Sequence, residues 1–150
     1  MDNARIDLPR ILAVLGSREE ASALERILEP EKWHVRFERS FPAAEAALLS
    51  GSFAVVICGS RFDEGHRWKD VLECVRRAPI PPLLIVVDRL ADEALWAEVL
   101  NLGGYDVLMM PFERDEVLRV LGQAWRNRAT ATTVPCGRCS HWNHVWVIQL

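Results

Sequence analysis

The sequence lacks the features that mark a membrane protein, a secreted protein or a nucleic-acid-binding protein. Its 150 residues contain no apolar run long enough to cross a bilayer. The first residues, Met1 to Asp7, include no apolar segment of the kind found in secretory signal peptides. The formal net charge of −3 argues against a dedicated surface for nucleic acid. We therefore expect a cytoplasmic protein that binds neither membrane nor nucleic acid.

Motifs for nucleotide binding and for nucleophilic hydrolysis are also missing. Gly16 stands alone after a predicted strand, so the chain has neither a glycine-rich phosphate loop nor a dinucleotide fingerprint. No serine lies in a nucleophile elbow with the histidine and acid that hydrolases need. His34 and His66 have no visible partner in the sequence. We expect that the protein is not an enzyme.

What the sequence does contain is a regular alternation of short apolar runs and amphipathic stretches. The clearest strand is Phe53 to Cys58, which is apolar throughout, as in parallel strands covered on both faces. A capping box at Ser17 and Glu20 predicts the start of the first helix, and Gly103-Gly104 predicts the end of the fourth. Residues 59–66 are predicted to be a polar loop. The remaining strands are predicted at 11–15, 34–37, 83–87 and 105–110.

Five strands, each followed by a helix, predict an α/β fold with a doubly wound parallel sheet. This domain is expected to span residues 1–127. The composition changes after Asn127, and residues 128–135 have little apolar periodicity, so we interpret them as a linker. Residues 128–150 then form a linker and a carboxyl-terminal extension.

Three segments of the chain resemble one family. Gly103 to Phe112 (GGYDVLMMPF) resembles the segment G-A-x-D-[YF]-[LI]-x-K-P-[FL] of response-regulator receiver domains, the CheY-like family. Ile11 to Gly16 and Phe53 to Gly59 are similar to the first and third strands of that family. The resemblance covers about residues 8–127. It implies a flavodoxin-like sheet with the strand order 2-1-3-4-5 and five helices.

The resemblance also implies a place for each group that transfers a phosphoryl group to aspartate, and this chain departs from the family at every one. The acid-pair positions hold Leu15 and Gly16, and the position of the nucleophilic aspartate holds Gly59. The hydroxyl position holds Asp88 and the lysine position holds Met110. We therefore expect a degenerate receiver, or pseudo-receiver, without a bound cofactor in this domain. The alternative is a phosphoacceptor response regulator with an atypical site.

A pseudo-receiver would act by contact with another signalling protein, such as a histidine kinase, a transcription factor or an output domain. In the family, the fourth helix, fifth strand and fifth helix form the usual docking face, which corresponds here to about Ala91 to Trp125. Trp96 and Arg114 are candidate contacts on this face, and Val107 replaces the family's switch aromatic. The sequence is also compatible with a homodimer.

A cation site built from other acids is a further possibility. Asp63 and Glu64 lie in the predicted loop, and Asp88 is expected at the carboxyl end of the fourth strand. Three carboxylates near one edge of a sheet are able to bind a divalent cation. The plainer interpretation is that Asp63 and Glu64 are solvated and that Asp88 caps a helix or turn.

The four cysteines fall into two groups. Cys58 and Cys74 lie in apolar contexts and are expected to be buried free thiols. Cys136 and Cys139 form a Cys-x-x-Cys motif with a glycine inside, which resembles one knuckle of a zinc ribbon. His141 and His144 are close enough in sequence to complete a zinc site, or a second subunit could supply the other ligands. Redox chemistry and simple apolar packing of the tail are the other interpretations.

Elemental analysis of protein purified without a histidine tag tests the zinc interpretation. A structural site binds tightly, so it should retain about one zinc atom per chain, or one per two chains if it is shared. A content below about a tenth of an atom per chain would exclude zinc at Cys136 and Cys139.

Overall fold

The computed structural model describes residues 10–31, 33–63 and 65–133. Within this part of the chain, five parallel strands form one sheet, and a separate antiparallel hairpin follows the third of them. The sheet strands are β1 (Arg10–Val14), β2 (His34–Glu38), β3 (Val55–Gly59), β6 (Leu83–Asp88) and β7 (Asp106–Met109), and the hairpin consists of β4 (Arg61–Asp63) and β5 (His66–Arg67). The sheet order is β2-β1-β3-β6-β7. When only the sheet strands are counted, this is the predicted order 2-1-3-4-5, so the predicted fold is confirmed.

The helices lie between the strands as the sequence predicts. They are α1 (Arg18–Leu28), α2 (Phe41–Ser50), α3 (Trp68–Arg76), α4 (Glu93–Leu102) and α5 (Arg114–Thr133), with a short 3-10 turn at Glu29–Glu31 after α1. None of these described helices is both long enough and apolar enough to cross a membrane.

Local capping chemistry explains where several helices begin and end. The Ser17 hydroxyl oxygen accepts the backbone N–H groups of Glu19 and Glu20 at 3.1 and 3.3 Å, which satisfies two donors at the start of α1. The Ser40 hydroxyl oxygen accepts the backbone N–H of Ala43 and so caps α2. Gly103 ends α4 with φ of 111°, a left-handed conformation that glycine adopts without steric cost. The structure confirms these predicted boundaries. They could be predicted because each depends only on residues close by in the chain.

Helices cover both faces of the sheet. Leu12 and Val14 of β1 point into a core cluster with residues of α2, α3 and α4, whereas Ile11 and Ala13 point into a cluster with residues of α1 and α5. All four of these side chains are fully inaccessible to solvent. Burial on both faces explains why the central strands are continuously apolar. Cys58 and Cys74 are buried free thiols in the first cluster, as expected.

Two predictions about chain segments were wrong. Residues 59–66 do not form a simple loop, because Arg61 pairs with Arg67 and Asp63 with His66 across the β4–β5 hairpin. The interpretation of residues 128–135 as a linker fails for residues 128–133, because α5 continues to Thr133. Extending an existing helix adds one hydrogen bond per residue without a new nucleation cost, so weak periodicity does not end it.

Candidate functional site

The carboxyl ends of the sheet strands bring the candidate site positions to one edge. Leu15 and Gly16 directly follow β1, Gly59 ends β3, Asp88 ends β6 and Met110 follows β7. In the sheet register, Gly59 is the partner of Val87 and Asp88 is the partner of Met109. Parallel α/β folds place their ligands outside this edge.

The β4–β5 hairpin folds back over the end of β1. A β-carbon built on Gly16 would collide with the backbone carbonyl oxygen of Phe62 and would lie 3.1 Å from its carbonyl carbon. The Phe62 side chain is buried and belongs to the core cluster on the α2–α3–α4 face. No side chain fits at position 16 unless the hairpin moves.

Two other positions of the site are part of the apolar core. Leu15 is 1% exposed and Met110 is 8% exposed, and both pack in the cluster on the α1–α5 face. Gly59 is also crowded, since a β-carbon there would lie 3.1 Å from the carbonyl oxygen of Arg61. Hydrocarbon and backbone thus occupy the edge at these positions.

Asp88 is the candidate acid at the end of β6, and its oxygens are already hydrogen bonded. Its Oδ2 accepts the hydroxyl of Ser60, and its Oδ1 accepts the backbone N–H of Leu90 at 2.7 Å. Burial on its own would raise the pKa of Asp88, but the hydrogen bonds from Ser60 and from the N–H groups of Leu90 and Ala91 hold that pKa below its usual value. Asp88 therefore caps a turn, as the plainer interpretation expected.

Asp63 anchors the hairpin to α2. Its carboxylate accepts the backbone N–H of Phe41 at 2.8 Å, the backbone N–H of Gly65 at 3.1 Å, and a hydrogen bond with His66 Nδ1 at 2.8 Å. The N–H of Phe41 is the main cause of the lowered pKa of Asp63. The rings of Phe41 and His66 stack with centroids 4.5 Å apart. Asp63 remains partly exposed, but the sequence did not predict its hydrogen bond with Phe41, because that partner lies 22 residues away.

The structure gives no support to a cation site among the residues it describes. No group of three or more His, Cys, Asp or Glu side chains is arranged to hold a metal in this part of the chain. Glu64 lies outside the described residues. The candidate zinc ligands also lie outside them, so zinc in the tail stays a prediction; these ligands are Cys136, Cys139, His141 and His144.

The candidate docking residues have different surroundings. Trp96 is 42% exposed and hydrogen bonds to Asp106, whose pKa is raised by burial. Val107 is only 9% exposed and packs in the core, so its place on the predicted interaction face is corrected. Arg114 forms an ion pair with Glu31 at 2.8 Å, beyond the end of α1. Met109, which no sequence motif marks as a contact, is half exposed on the edge strand β7.

The sequence matches no protein-family model and no curated protein. Solved structures give clear matches. The signal receiver domain of an HD domain-containing protein from Pseudomonas fluorescens Pf-5 matches with a TM-score of 0.74 and 23% identity, covering 83% of this chain and 99% of that one. A CheY-like response regulator receiver domain from Methanospirillum hungatei JF-1 matches with a TM-score of 0.74 and 18% identity, with the same coverage.

A third match has a higher TM-score. The signal receiver domain of a putative Luxo repressor protein from Vibrio parahaemolyticus matches with a TM-score of 0.78 and 17% identity, covering 87% of this chain and 99% of that one. This chain has the receiver fold. At these identities the similarity establishes architecture, and the chemistry depends on the residues at the edge of the receiver sheet.

The hydrogen bonds of Asp88 predict an acid-dependent stability. The pKa of Asp88 is lower in the folded state than in the unfolded chain, so its contribution is present above the unfolded value of about 3.9 and is lost as the pH falls through the folded value. The stability of the variant Asp88→Asn should therefore fall less steeply below about pH 4 than the stability of the original protein. Urea unfolding, repeated over this pH range, measures how steeply the free energy of unfolding changes with pH.

Asp115→Asn is the matched control, because the side chain of Asp115 is 91% exposed. It should keep the acid dependence of the original protein. If Asp88→Asn keeps the same dependence as well, the hydrogen bonds to Asp88 do not contribute to stability.

Proposed function

We propose that this chain is a receiver-like signalling domain that works by contact with another protein and does not accept a phosphoryl group on aspartate. Phosphoryl transfer to a carboxylate needs a nucleophilic acid, a divalent cation held by further acids, and a fixed positive charge near the transferred group. Gly59, Gly16 and Met110 stand where the receiver pattern has the nucleophile, one of the acids and the lysine. Glycine has no functional side chain and the thioether of methionine carries no charge, so none of these residues can take those roles.

The contact between Phe62 and Gly16 is the observation that carries this proposal. Replacing the acid at position 16 by glycine could by itself leave an open pocket, into which other acidic side chains could reach. Here the backbone of the β4–β5 hairpin lies against Gly16, so the space next to the end of β1 is closed. The hairpin is in turn fixed by the hydrogen bond from the N–H of Phe41 to Asp63. The closure is therefore built into the packing of the domain.

The remaining charge at the edge also supports the proposal. A group of carboxylates at one site repel each other and need a cation to balance them. Leu15 and Met110 remove this requirement by filling the edge with hydrocarbon. The carboxylate of Asp88 is balanced by hydrogen bonds from Ser60 and the following turn, without a cation.

Incubation with a small phosphodonor and magnesium, followed by intact mass spectrometry, tests the proposal. We expect no increase in mass, because the described part of the site holds no free carboxylate beside a second acid. A receiver domain with the complete set of acids, treated in the same tube, should gain one phosphoryl group. A stable adduct of one phosphoryl group on this chain would overturn the proposal.

The partner surface that we propose consists of α4, β7 and α5. Three large apolar side chains are exposed on α4 and β7: Trp96 at 42%, Met109 at 50% and Leu102 at 38%. Exposed aromatic and methionine side chains are enriched at protein interfaces. One neighbour is described as the signal receiver domain of an HD domain-containing protein. It suggests an output domain as the partner class, beside a kinase or transcription factor.

A charge placed on β7 tests this surface. Met109→Glu should reduce capture of the partner by at least about tenfold, because an ion in an apolar contact must be desolvated. The measurement compares, by quantitative mass spectrometry, the proteins captured from the native organism by the original chain and by each variant. Leu49→Glu is the control, since Leu49 is 80% exposed on α2. Normal capture by Met109→Glu, or loss only with Leu49→Glu, would place the partner elsewhere.

A further inference from the structure

The outer edge of β2 presents backbone groups that no strand of the described chain pairs with. β2 lies at one end of the sheet and, among the described residues, pairs with β1 alone. In a parallel ladder, every second residue turns both its N–H and its C=O toward the neighbouring strand. The carbonyl oxygen of Glu38 accepts the N–H of Leu15 at 3.1 Å, so Glu38 and Arg36 belong to the set that bonds to β1. The N–H and C=O groups of Val35 and Phe37 therefore point away from the sheet.

β2 has little of the protection that edge strands usually carry. Natural edges are kept from pairing by proline, a bulge, very short length or charged side chains. All five residues of β2 pair in continuous register with Arg10 to Val14 of β1, and none is proline. The opposite edge strand β7 has four residues, and Pro111 lies two residues beyond its end. β2 does carry charges, but they have both signs, so one register of pairing can make them attract.

The charges of β2 select that register. Arg36 and Glu38 lie on the same face of the strand and form an ion pair within the chain, with Nε and Oε2 2.8 Å apart. Their side chains are 49% and 19% exposed. When a second β2 runs antiparallel with Phe37 opposite Phe37, Arg36 of each strand lies directly opposite Glu38 of the other. Four charges of alternating sign then surround the two-fold axis.

The neighbouring antiparallel registers are unfavourable. Residues with outward-facing backbone groups must lie opposite each other to exchange hydrogen bonds, so the register changes in steps of two. Pairing Val35 with Phe37 places Arg36 opposite Arg36, and pairing Phe37 with Arg39 places Glu38 opposite Glu38. Like charges directly opposite each other destabilise an antiparallel pair. The register centred on Phe37 avoids both clashes and brings two half-buried aromatic rings together on the other face.

We propose that two copies of this chain form a symmetric dimer through the free edges of their β2 strands, with Phe37 at the two-fold axis. The two five-stranded sheets then become one continuous sheet. Backbone hydrogen bonds supply the affinity, and the ion pairs between Arg36 and Glu38 fix the register. β7 lies at the opposite edge, so the dimer leaves the proposed partner surface of α4, β7 and α5 free on both subunits.

Sedimentation equilibrium and amide hydrogen exchange of the full chain test the dimer. We expect a reversible monomer–dimer equilibrium. Exchange of the N–H groups of Val35 and Phe37 should slow at least about tenfold as the protein concentration rises through the dissociation constant, because these groups become hydrogen bonded between subunits. The N–H of Arg36 bonds to β1 in both states, so its exchange should not depend on concentration and serves as an internal control.

Charge-reversal variants test the register. Arg36→Glu or Glu38→Arg alone places like charges at both pairs between the subunits, and each should weaken dimerisation at least about tenfold. An equimolar mixture of the two variants should form the heterodimer in preference to either homodimer, because opposite charges then face each other across the interface. The pair within each chain is broken in both variants, so recovery in the mixture comes from contacts between chains. Native mass spectrometry measures the three dimeric species.

Arg77→Glu is the matched control for the charge reversals. Arg77 is exposed at the end of α3, which packs over β3 and β6 in the middle of the sheet. This variant should dimerise as the original chain does and should show no preference for a heterodimer with Glu38→Arg. Urea unfolding of each variant at low protein concentration checks that the monomer still folds.

Three results would overturn the proposal: a monomer at all soluble concentrations, no preference for the heterodimer in the mixture, or an equal loss of dimer in Arg77→Glu. Slow exchange of Val35 and Phe37 at every concentration would also overturn it, in favour of a segment of the same chain at this edge. A dimer lost in Met109→Glu but kept in Arg36→Glu would place the interface at β7. None of these results depends on phosphoryl transfer, which is measured separately by mass.

Discussion

The side chains of β1 from Ile11 to Val14 are completely inaccessible to solvent, because α2, α3 and α4 cover one face of the sheet and α1 and α5 cover the other. Among them, each of the fully buried side chains of Ile11, Leu12 and Val14 stabilises the fold by about 1.5–3 kcal/mol. Polar backbone groups at the strand ends cannot lie in such a core without partners. The chemistry of the molecule is therefore confined to the loops at the edges of the sheet.

At the carboxyl edge, the β4–β5 hairpin determines what the fold can do. Phe62 buries its ring in the core and places its backbone against Gly16. Asp63 fastens the hairpin to the start of α2 through the N–H of Phe41, and the stacked ring of His66 supports it. The same hairpin that closes the space beside β1 exposes Arg61 and Arg67 on its outer side. One local structure thus closes the space beside β1 and also places Arg61 and Arg67 beside the adjacent cleft, which lies between the hairpin and the loop that joins β6 to α4.

The α4 helix connects this edge with the proposed partner surface. Leu95 and Glu98 face the cleft, while Trp96 is exposed and hydrogen bonds to Asp106 at the start of β7. Receiver-fold neighbours share the scaffold at identities of 23% and below. Conservation of a scaffold at such identities is explained by the two-sided core, which depends on the size and apolar character of side chains more than on their identity.

The sequence by itself determined the elements with local causes. Ser17 caps α1 through the next three residues, Gly103 ends α4, and the apolar run that ends at Cys58 forms a strand in any two-sided parallel sheet. It also determined which side chains are missing from the edge, since Gly16 and Met110 carry no acid and no amine. These features depend on neighbours in the chain or on residue type alone.

Only the tertiary structure decided what fills the edge. The contacts of Phe62 with Gly16 and of Asp63 with Phe41 join residues that are far apart in the chain, so no local pattern predicts them. The burial of Val107 and the opposition of Arg61 to Arg67 depend in the same way on packing and on strand register. Register and packing are fixed when distant segments meet, because only then does each side chain acquire its surroundings.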